Sequence, residues 1–427
     1  MNHKLTIAIF AILIITSPTV AGQKMDPESV RLLKEDITRA GVNTNSYEVC
    51  NFTDTKAPRG YRPFYISHYG RHGSRNNWGR KYYERLVQRL SEAREAGILS
   101  PSGDSLLREA TIIRDIELQG GANGRLTPRG VREHAGIAER MYKRCPAVFK
   151  KGPQSVRVVS STTPRCIVSM AAFTNSLKAL RPGLDISLAS DENIMDYVSS
   201  SCTKEVKAAS QKMLDSLDAA VPVDTVGLLE RLFTDPAIAR KIIGGNVAAF
   251  ENDIFRTARV ADAFDVSYNL FRFIPFAAVY KWYDYYNREI YLRQCYSAEF
   301  GKERLPLVQP LVDDVVTKAD EAINDGTVAA DLRFGHDWPT MALAAYLGFE
   351  RLGEPYTFDQ IPAHFFGGLD VPLACNIQII FYRNRSGNVL VKFLLNEKET
   401  TIPGLGAVSG PYYDWDDVKI WLSRRRG

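Results

Sequence analysis

The chain has 427 residues, 45% of them hydrophobic and 24% charged, with no low-complexity tract, so it builds a sizeable core and is not a disordered chain. Its net charge of +5 and pI of about 8.7 are mild. No basic stripe interleaves with aromatics, which argues against nucleic-acid binding, and the charge fits an anionic ligand only weakly.

The first residues run from a polar start bearing Lys4, through the apolar run Leu5 to Ile15, into the small-residue stretch Ser17 to Gly22. This is the pattern of a secretory signal: the run is too short and too abruptly ended for a bilayer span, which takes roughly 18 apolar residues. Residues 1–22 are therefore expected to be removed, and the mature chain to be periplasmic or secreted with no membrane segment. Six cysteines, Cys50, Cys145, Cys166, Cys202, Cys295 and Cys375, are even in number and scattered, as disulfides of an exported enzyme would be. Their pairing stays open, and none sits in a CxxC or Cys/His cluster with zinc spacing.

Arg62 to Tyr69 is β-branched and aromatic and reads as a strand, broken by Gly70 to Gly73 before a helix over Lys81 to Glu95. Ser155 to Ser160 reads as a second strand, followed by the loop Ser161 to Arg165 and a helix from about Cys166 to Leu180. Ala330 to Phe334 repeats the pattern through Gly335 and His336 into a helix over Pro339 to Leu347, with proline where its missing N–H costs little. Strand signals vanish between about Tyr197 and Arg304, where an aromatic-rich stretch including Phe276, Tyr280, Trp282, Tyr283, Tyr285 and Tyr286 reads as the core of a helical insert. Asn376 to Phe381, the turn Asn384 to Gly387, and Val389 to Asn396 read as a closing β-hairpin, with a last helix near Asp416 to Arg424.

The expected fold is α/β: a mostly parallel central sheet flanked by helices, formed by residues 23–196 and 305–427, with an inserted α-helical cap over 197–304 and a C-terminal β-hairpin. In such sheets ligands collect at the carboxyl ends of strands.

Histidine is scarce, and two of those left after signal removal, His72 and His336, lie in strand-exit loops. His72 sits in Arg71-His72-Gly73-Ser74-Arg75, where glycines let backbone approach a ligand and two arginines fork onto its oxygens. A helix N-terminus soon after adds favourable N–H groups, so the loop reads as a phosphate cradle. A neutral imidazole can attack the clamped phosphorus, and Asp337, a carboxyl in a strand-exit loop beside a histidine, can protonate the leaving group. Taken singly, His72 is an ordinary loop histidine and Asp337 an N-cap. His68 and His72 are four apart, as on a zinc-binding helix, but the β-rich run and Gly70 oppose a helix there.

This arrangement resembles the histidine phosphatase superfamily, in its second branch of histidine acid phosphatases, phytases and multiple inositol polyphosphate phosphatases. The family's RHGxR signature reads Arg71 to Arg75. Its Gly-x-Leu-Thr-x-x-Gly element reads Gly124 to Gly130, its later HD signature reads His336-Asp337, and Val158 to Arg165 looks like its strand ending in a phosphate-binding arginine. The resemblance implies His72 as nucleophile, Arg71, Arg75, Arg165 and His336 as phosphate-binding residues, and Asp337 as proton donor, with no metal and no cofactor. The tail Asn376 to Glu399 looks like that of bacterial inositol polyphosphate phosphatases, and Arg288, Arg293, Lys302 and Arg304 are candidate partners for extra phosphates. That favours a small phosphorylated substrate such as phytate, whereas His-Asp in place of His-Ala-Glu is the donor type of general acid phosphatases and many phytases. Other readings of the same residues are a general acid phosphatase on simple or sugar phosphates, a mutase, and a non-catalytic receptor, which would need the arginines but no leaving-group acid.

Overall fold

Four strands carry their apolar residues into one sheet by parallel pairing: β1 (Arg62–Arg71), β2 (Ser155–Ser160), β3 (Asp185–Ala189) and β4 (Val328–Gly335). β4 pairs with β1 on one side and β2 on the other, and β3 lies beyond β2. The expected hairpin, β5 (Asn376–Arg383) and β6 (Val389–Leu395), does not stand apart: β5 joins β1 antiparallel, and β7 (Lys398–Thr400) and β8 (Tyr412–Asp414) extend from β6. The resulting eight-stranded order is β8-β6-β5-β1-β4-β2-β3, with β7 also on β6. The computed structural model describes residues 19–20, 23–49, 54–77, 79–119, 123–150, 154–191, 202–217 and 223–425. The expected signal segment lies almost wholly outside the described residues, as does Cys50.

β4 is buried along its whole length, as a central strand covered on both faces must be. It nevertheless carries Asp331 and Arg333, which are tolerated because each is paired. Asp331 accepts from Arg157 at 2.7 Å and from the Tyr65 hydroxyl at 2.7 Å, while Arg333 donates to Asp314 at 2.6 Å and Ser67 at 3.0 Å.

The flanking helices are α1 (Lys81–Glu95), α2 (Pro101–Leu118), α3 (Pro128–Arg144), α4 (Pro164–Leu180), α5 (Val247–Ala261), α6 (Phe276–Gln294), α7 (Gly301–Asp325), α8 (Asp337–Leu347) and α9 (Trp415–Arg424). Proline opens α2, α3 and α4, and Ser100 and Thr127 cap the first two by accepting backbone N–H groups. One core joins α3 and α4 to the sheet through Ile137, Met141, Phe173, Leu177, Val156 and Leu332. A larger one takes in α8 and the helical stretch, where Tyr280, Trp282 and Tyr283 are buried as packing. Among the described residues 202–304 no sheet strand forms, and no described helix is long and apolar enough to cross a membrane.

The expected disulfide framework is not formed among the described cysteines. Cys145, Cys166, Cys295 and Cys375 are buried free thiols and Cys202 is partly buried and free. The buried four serve as small apolar filler, and burial pushes each thiol up to about 12.

Candidate active site

Because β1, β4 and β2 are neighbours running the same way, their carboxyl ends fall side by side: Arg71 aligns with Gly335 and Ser160 with Phe334. The three polar strand-exit loops legible in the sequence therefore open at one edge of the sheet. The His72 N–H donates to Gly335 O at 2.9 Å and its carbonyl accepts from Ala374 N at 2.9 Å, which pins the loop to both neighbouring strands.

His72 is buried, and its Nδ1 lies 3.0 Å from Gly73 O. A carbonyl only accepts, so Nδ1 carries the proton and Nε2 presents its lone pair. Burial, then Arg71, Arg165, Arg75 and His336, hold the imidazole well below its usual pKa, keeping it neutral. His336 stands edge-on to it, with ring centroids 5.7 Å apart.

The cations expected to grip phosphate surround this ring. Arg71 is almost fully buried, held by Asn43 O at 2.6 Å and Val371 O at 3.0 Å, and its remaining arm reaches Asp337 Oδ2 at 3.1 Å. Arg75 donates to Asn76 O at 2.9 Å, and burial together with Arg165 and Arg71 pulls it down to about 10. Arg165 donates to His336 Nδ1 at 3.3 Å. A guanidinium only donates, so the His336 proton sits on Nε2, facing Ser161 Oγ at 3.2 Å and Thr163 Oγ1 at 3.4 Å. Burial and then Arg165 depress His336 to about 4. Cations that depress one another are the electrostatic mark of a site shaped for an anion.

Asp337 is not an N-cap. The cap position of α8 is His336, and Asp337 is the first helical residue, its Oδ1 accepting from its neighbour Trp338 N at 3.0 Å. Its Oδ2 accepts from Asn43 Nδ2 at 2.8 Å and faces Arg71. Burial raises this carboxyl, but Arg71, the Asn43 hydrogen bond, His336 and Arg75 outweigh it and hold it below its ordinary value.

The Gly124 to Gly130 element braces the loop. Thr127 donates to Ser74 O through its N–H at 2.8 Å and its hydroxyl at 3.0 Å, and Asn76 N donates to Arg125 O at 2.8 Å. Gly73 and Gly130 touch backbone to backbone: a Cβ on Gly73 would meet Gly130 O at 2.6 Å, and one on Gly130 would meet Ser74 O at 2.3 Å. Glu133, one turn along α3, accepts from Ser74 N and Ser74 Oγ, each at 2.7 Å. Sequence reading passed over Glu133, Ser169, which accepts from Gly73 N at 3.1 Å, and Asn43. A carboxylate one turn after a motif is a visible signal for Glu133. Asn43 has none, because its neighbour in space is Asp337, nearly three hundred residues on.

His68 and His134 pack about Phe334 as core rings, with centroids 5.3 and 5.7 Å away. His364 stacks on Tyr356 at 4.3 Å. The insert's cations have partners of several kinds. Arg288 pairs with Asp284 at 2.9 Å, Arg293 with Glu289 and Gln211, and Arg304 lies 5.2 Å from the Trp338 ring. Lys302 lines a separate cavity of about 770 Å³ with Arg424 and Arg425, which shares no residue with the phosphate loop.

Comparison with solved structures decides the fold. The multiple inositol polyphosphate phosphatase of Bifidobacterium longum, in complex with inositol hexasulfate, superposes over 90% of this chain and 97% of its own at TM-score 0.72 and 18% identity. The chain has the fold of the second-branch histidine acid phosphatases. The D. castellii phytase gives TM-score 0.69 at 13% identity over 92% of this chain and 86% of its own. Hafnia alvei phytase with tartrate gives 0.54 at 14% identity, over 86% and 98%. By sequence, multiple inositol polyphosphate phosphatase 1 of Gallus gallus is 24% identical over 305 residues, so the match spans 64% of this chain and 64% of that relative's length. No family model matches the chain. The six residues expected to form the site lie together at the carboxyl ends of the parallel strands, where open α/β sheets in general collect ligands.

Proposed function

We propose that this protein is an exported phosphomonoesterase that works through a phosphohistidine. The observation that carries the reading is the neutral His72 Nε2 enclosed by Arg71, Arg75 and Arg165 with the Asp337 carboxyl alongside. In this reading Nε2 attacks phosphorus while the arginines and His336 hold the non-bridging oxygens. The P–O ester bond breaks, the N–P bond forms, and Asp337 gives its proton to the departing alkoxide. Water then attacks the phosphohistidine, Asp337 takes the proton back, and phosphate leaves. Asp337 is ionised beside Arg71 in the ligand-free site, but a bound phosphate shares the guanidinium's charge and adds its own negative field. Both raise the carboxyl toward the protonated form that donates.

Inositol polyphosphates are the substrate class proposed, on the strength of relatives described as multiple inositol polyphosphate phosphatase and phytase. The described helices between residues 202 and 304 are proposed to act as a cap, since Arg259 on α5 reaches Asn43 beside the proposed donor. Export is proposed from the Lys4, Leu5 to Ile15 and Ser17 to Gly22 pattern. The test is phosphate release from phytate and from a simple aryl phosphate by the purified mature chain, with acid-labile phosphoenzyme trapped by rapid quench. His72→Ala is expected to abolish both turnover and phosphoenzyme. Turnover that survives this change sinks the mechanism, and a strong bias to simple monoesters sinks the inositol preference alone.

A further inference from the structure

Asn43 is the next-to-last residue of the short 3-10 segment Ile37–Thr44 and touches three side chains at once. Its carbonyl accepts from Arg71 at 2.6 Å, its Nδ2 donates to Asp337 Oδ2 at 2.8 Å, and its Oδ1 accepts from Arg259 at 3.4 Å. The amide's orientation follows from chemistry: a guanidinium only donates, so the face toward Arg259 is oxygen and the face toward Asp337 is nitrogen. Arg259 is itself fixed, donating to Gly41 O at 3.2 Å and lying 4.2 Å from the Tyr286 ring.

The backbone here is strained to this end. Val42, buried and β-branched, holds φ +53 and ψ −125, a conformation that persists only where surroundings enforce it. Its side chain is wedged beside Gly367, where a Cβ would come within 2.4 Å of Val42 Cγ1. The strain falls on the residue that aims Asn43.

We propose that Asn43 is a positioning residue for the proton donor: its amide, oriented by Arg259, fixes Asp337 Oδ2 against Arg71 and leaves Oδ1 as the oxygen that carries and delivers the proton. Oδ2 faces two obligate donors, the Asn43 amide and the Arg71 guanidinium, so a proton placed there would meet hydrogen on both sides. Among the described residues Oδ1 accepts only the Trp338 N–H and has a lone pair to protonate. The inference rests on the phosphomonoesterase reading and adds a residue to it. The charged and titratable groups facing Asp337 are Tyr69 and Arg71 on β1, Arg75 after it, Arg165 on α4, His336, and Cys375 before β5. None of them supplies a neutral donor to Oδ2, so removing Asn43 is not compensated.

The experiment compares an aryl phosphate with a good leaving group and a primary alkyl phosphate that depends on the acid. kcat/KM and the pH profile of kcat are measured for the wild-type chain and for Asn43→Ala, Asn43→Asp and Arg259→Met. Asn43→Ala is expected to lower alkyl turnover about tenfold more than aryl turnover. The alkaline limb should move up, because a donor to the ionised carboxylate is lost. Asn43→Asp, the same shape and so the safeguard if the alanine variant does not fold, should move the limb further up by like-charge repulsion. Arg259→Met should give a smaller change in the same sense. Equal losses on both substrates with an unmoved limb overturn the proposal. Absence of turnover by the wild-type chain on either ester overturns the phosphomonoesterase reading instead.

Discussion

In the proposed mechanism His72 acts as the nucleophile through its setting rather than its own basicity. Nδ1 is tied to Gly73 O, and burial with neighbouring cations keeps the ring neutral, so Nε2 is available wherever an anion can balance the arginines. The same cations hold the Asp337 carboxyl below its ordinary value, and in the proposed mechanism a bound phosphate relieves that hold, which gives the two residues separable roles. Asp337→Asn keeps the shape and loses only the proton. It is expected to lower turnover of an alkyl phosphate by roughly 10²–10⁴-fold while an aryl phosphate still phosphorylates His72. With no base for the attacking water, phosphoenzyme should then accumulate, visible as a stoichiometric burst of aryl alcohol with trapped phosphate. A uniform loss on both esters without a burst contradicts that division. At this scale the sequence exposed what lies inside a short contiguous motif, Arg71 to Arg75 and His336-Asp337. It concealed Asn43, whose importance comes from a fold that brings an unremarked segment to the donor.

The loop from Arg71 to Arg75 keeps its shape because a second element is pressed against it. Gly130, at the start of α3, approaches Ser74 so closely that a methyl group would overlap backbone on both sides, at 2.3 Å from its oxygen and 2.8 Å from its nitrogen. Backbone cannot swing aside as a side chain can, so Gly130→Ala should shift Ser74 and with it His72 and Arg75. Misplacing reacting groups by about 1 Å costs on the order of 10²-fold, so a fall of roughly 10–100-fold in kcat/KM is expected with circular dichroism unchanged. Retained activity would show that the loop does not depend on this contact. The element's spacing in the sequence marked a turn into a helix, and the helix indeed starts there, at Pro128. Its service to the loop was hidden, because the contact is made across the sheet's edge by residues some fifty positions apart, as from Thr127 to Ser74. The strands fared similarly. β2 over Ser155–Ser160 was legible in full from its apolar content, whereas the joining of β5 to β1 was not, since pairing partners leave no trace in a hairpin's own pattern.

Across the whole molecule, several buried histidines share one electrostatic condition. Burial holds His68 and His134 down to about 3, His336 falls to about 4 with Arg165 contributing, and His72 lies well below its usual value. In the unfolded chain each titrates near the ordinary value of about 6.5. Between these limits the unfolded state binds more protons than the folded one, so stability rises with pH. Their contribution is whole above about pH 6.5 and is lost as the pH falls toward 3–4. These histidines therefore weaken the ligand-free fold from pH 7 to pH 4, against an opposite contribution from carboxyls that burial raises, Glu251 to about 7 among them, and the balance is measured by calorimetry or urea midpoints at constant ionic strength. Inorganic phosphate should restore more of that loss at pH 4–5 than at pH 7, because it binds the folded state and lets His336 take up a proton beside it. The two core histidines separate this from the active site. His134→Phe keeps an aromatic ring against Phe334 and removes one titrating group, which should flatten the acid slope by up to about 1.4 kcal/mol per pH unit without altering the phosphate effect. A slope unchanged by this substitution would mean that His134 is protonated in the fold, and that its burial does not exclude charge.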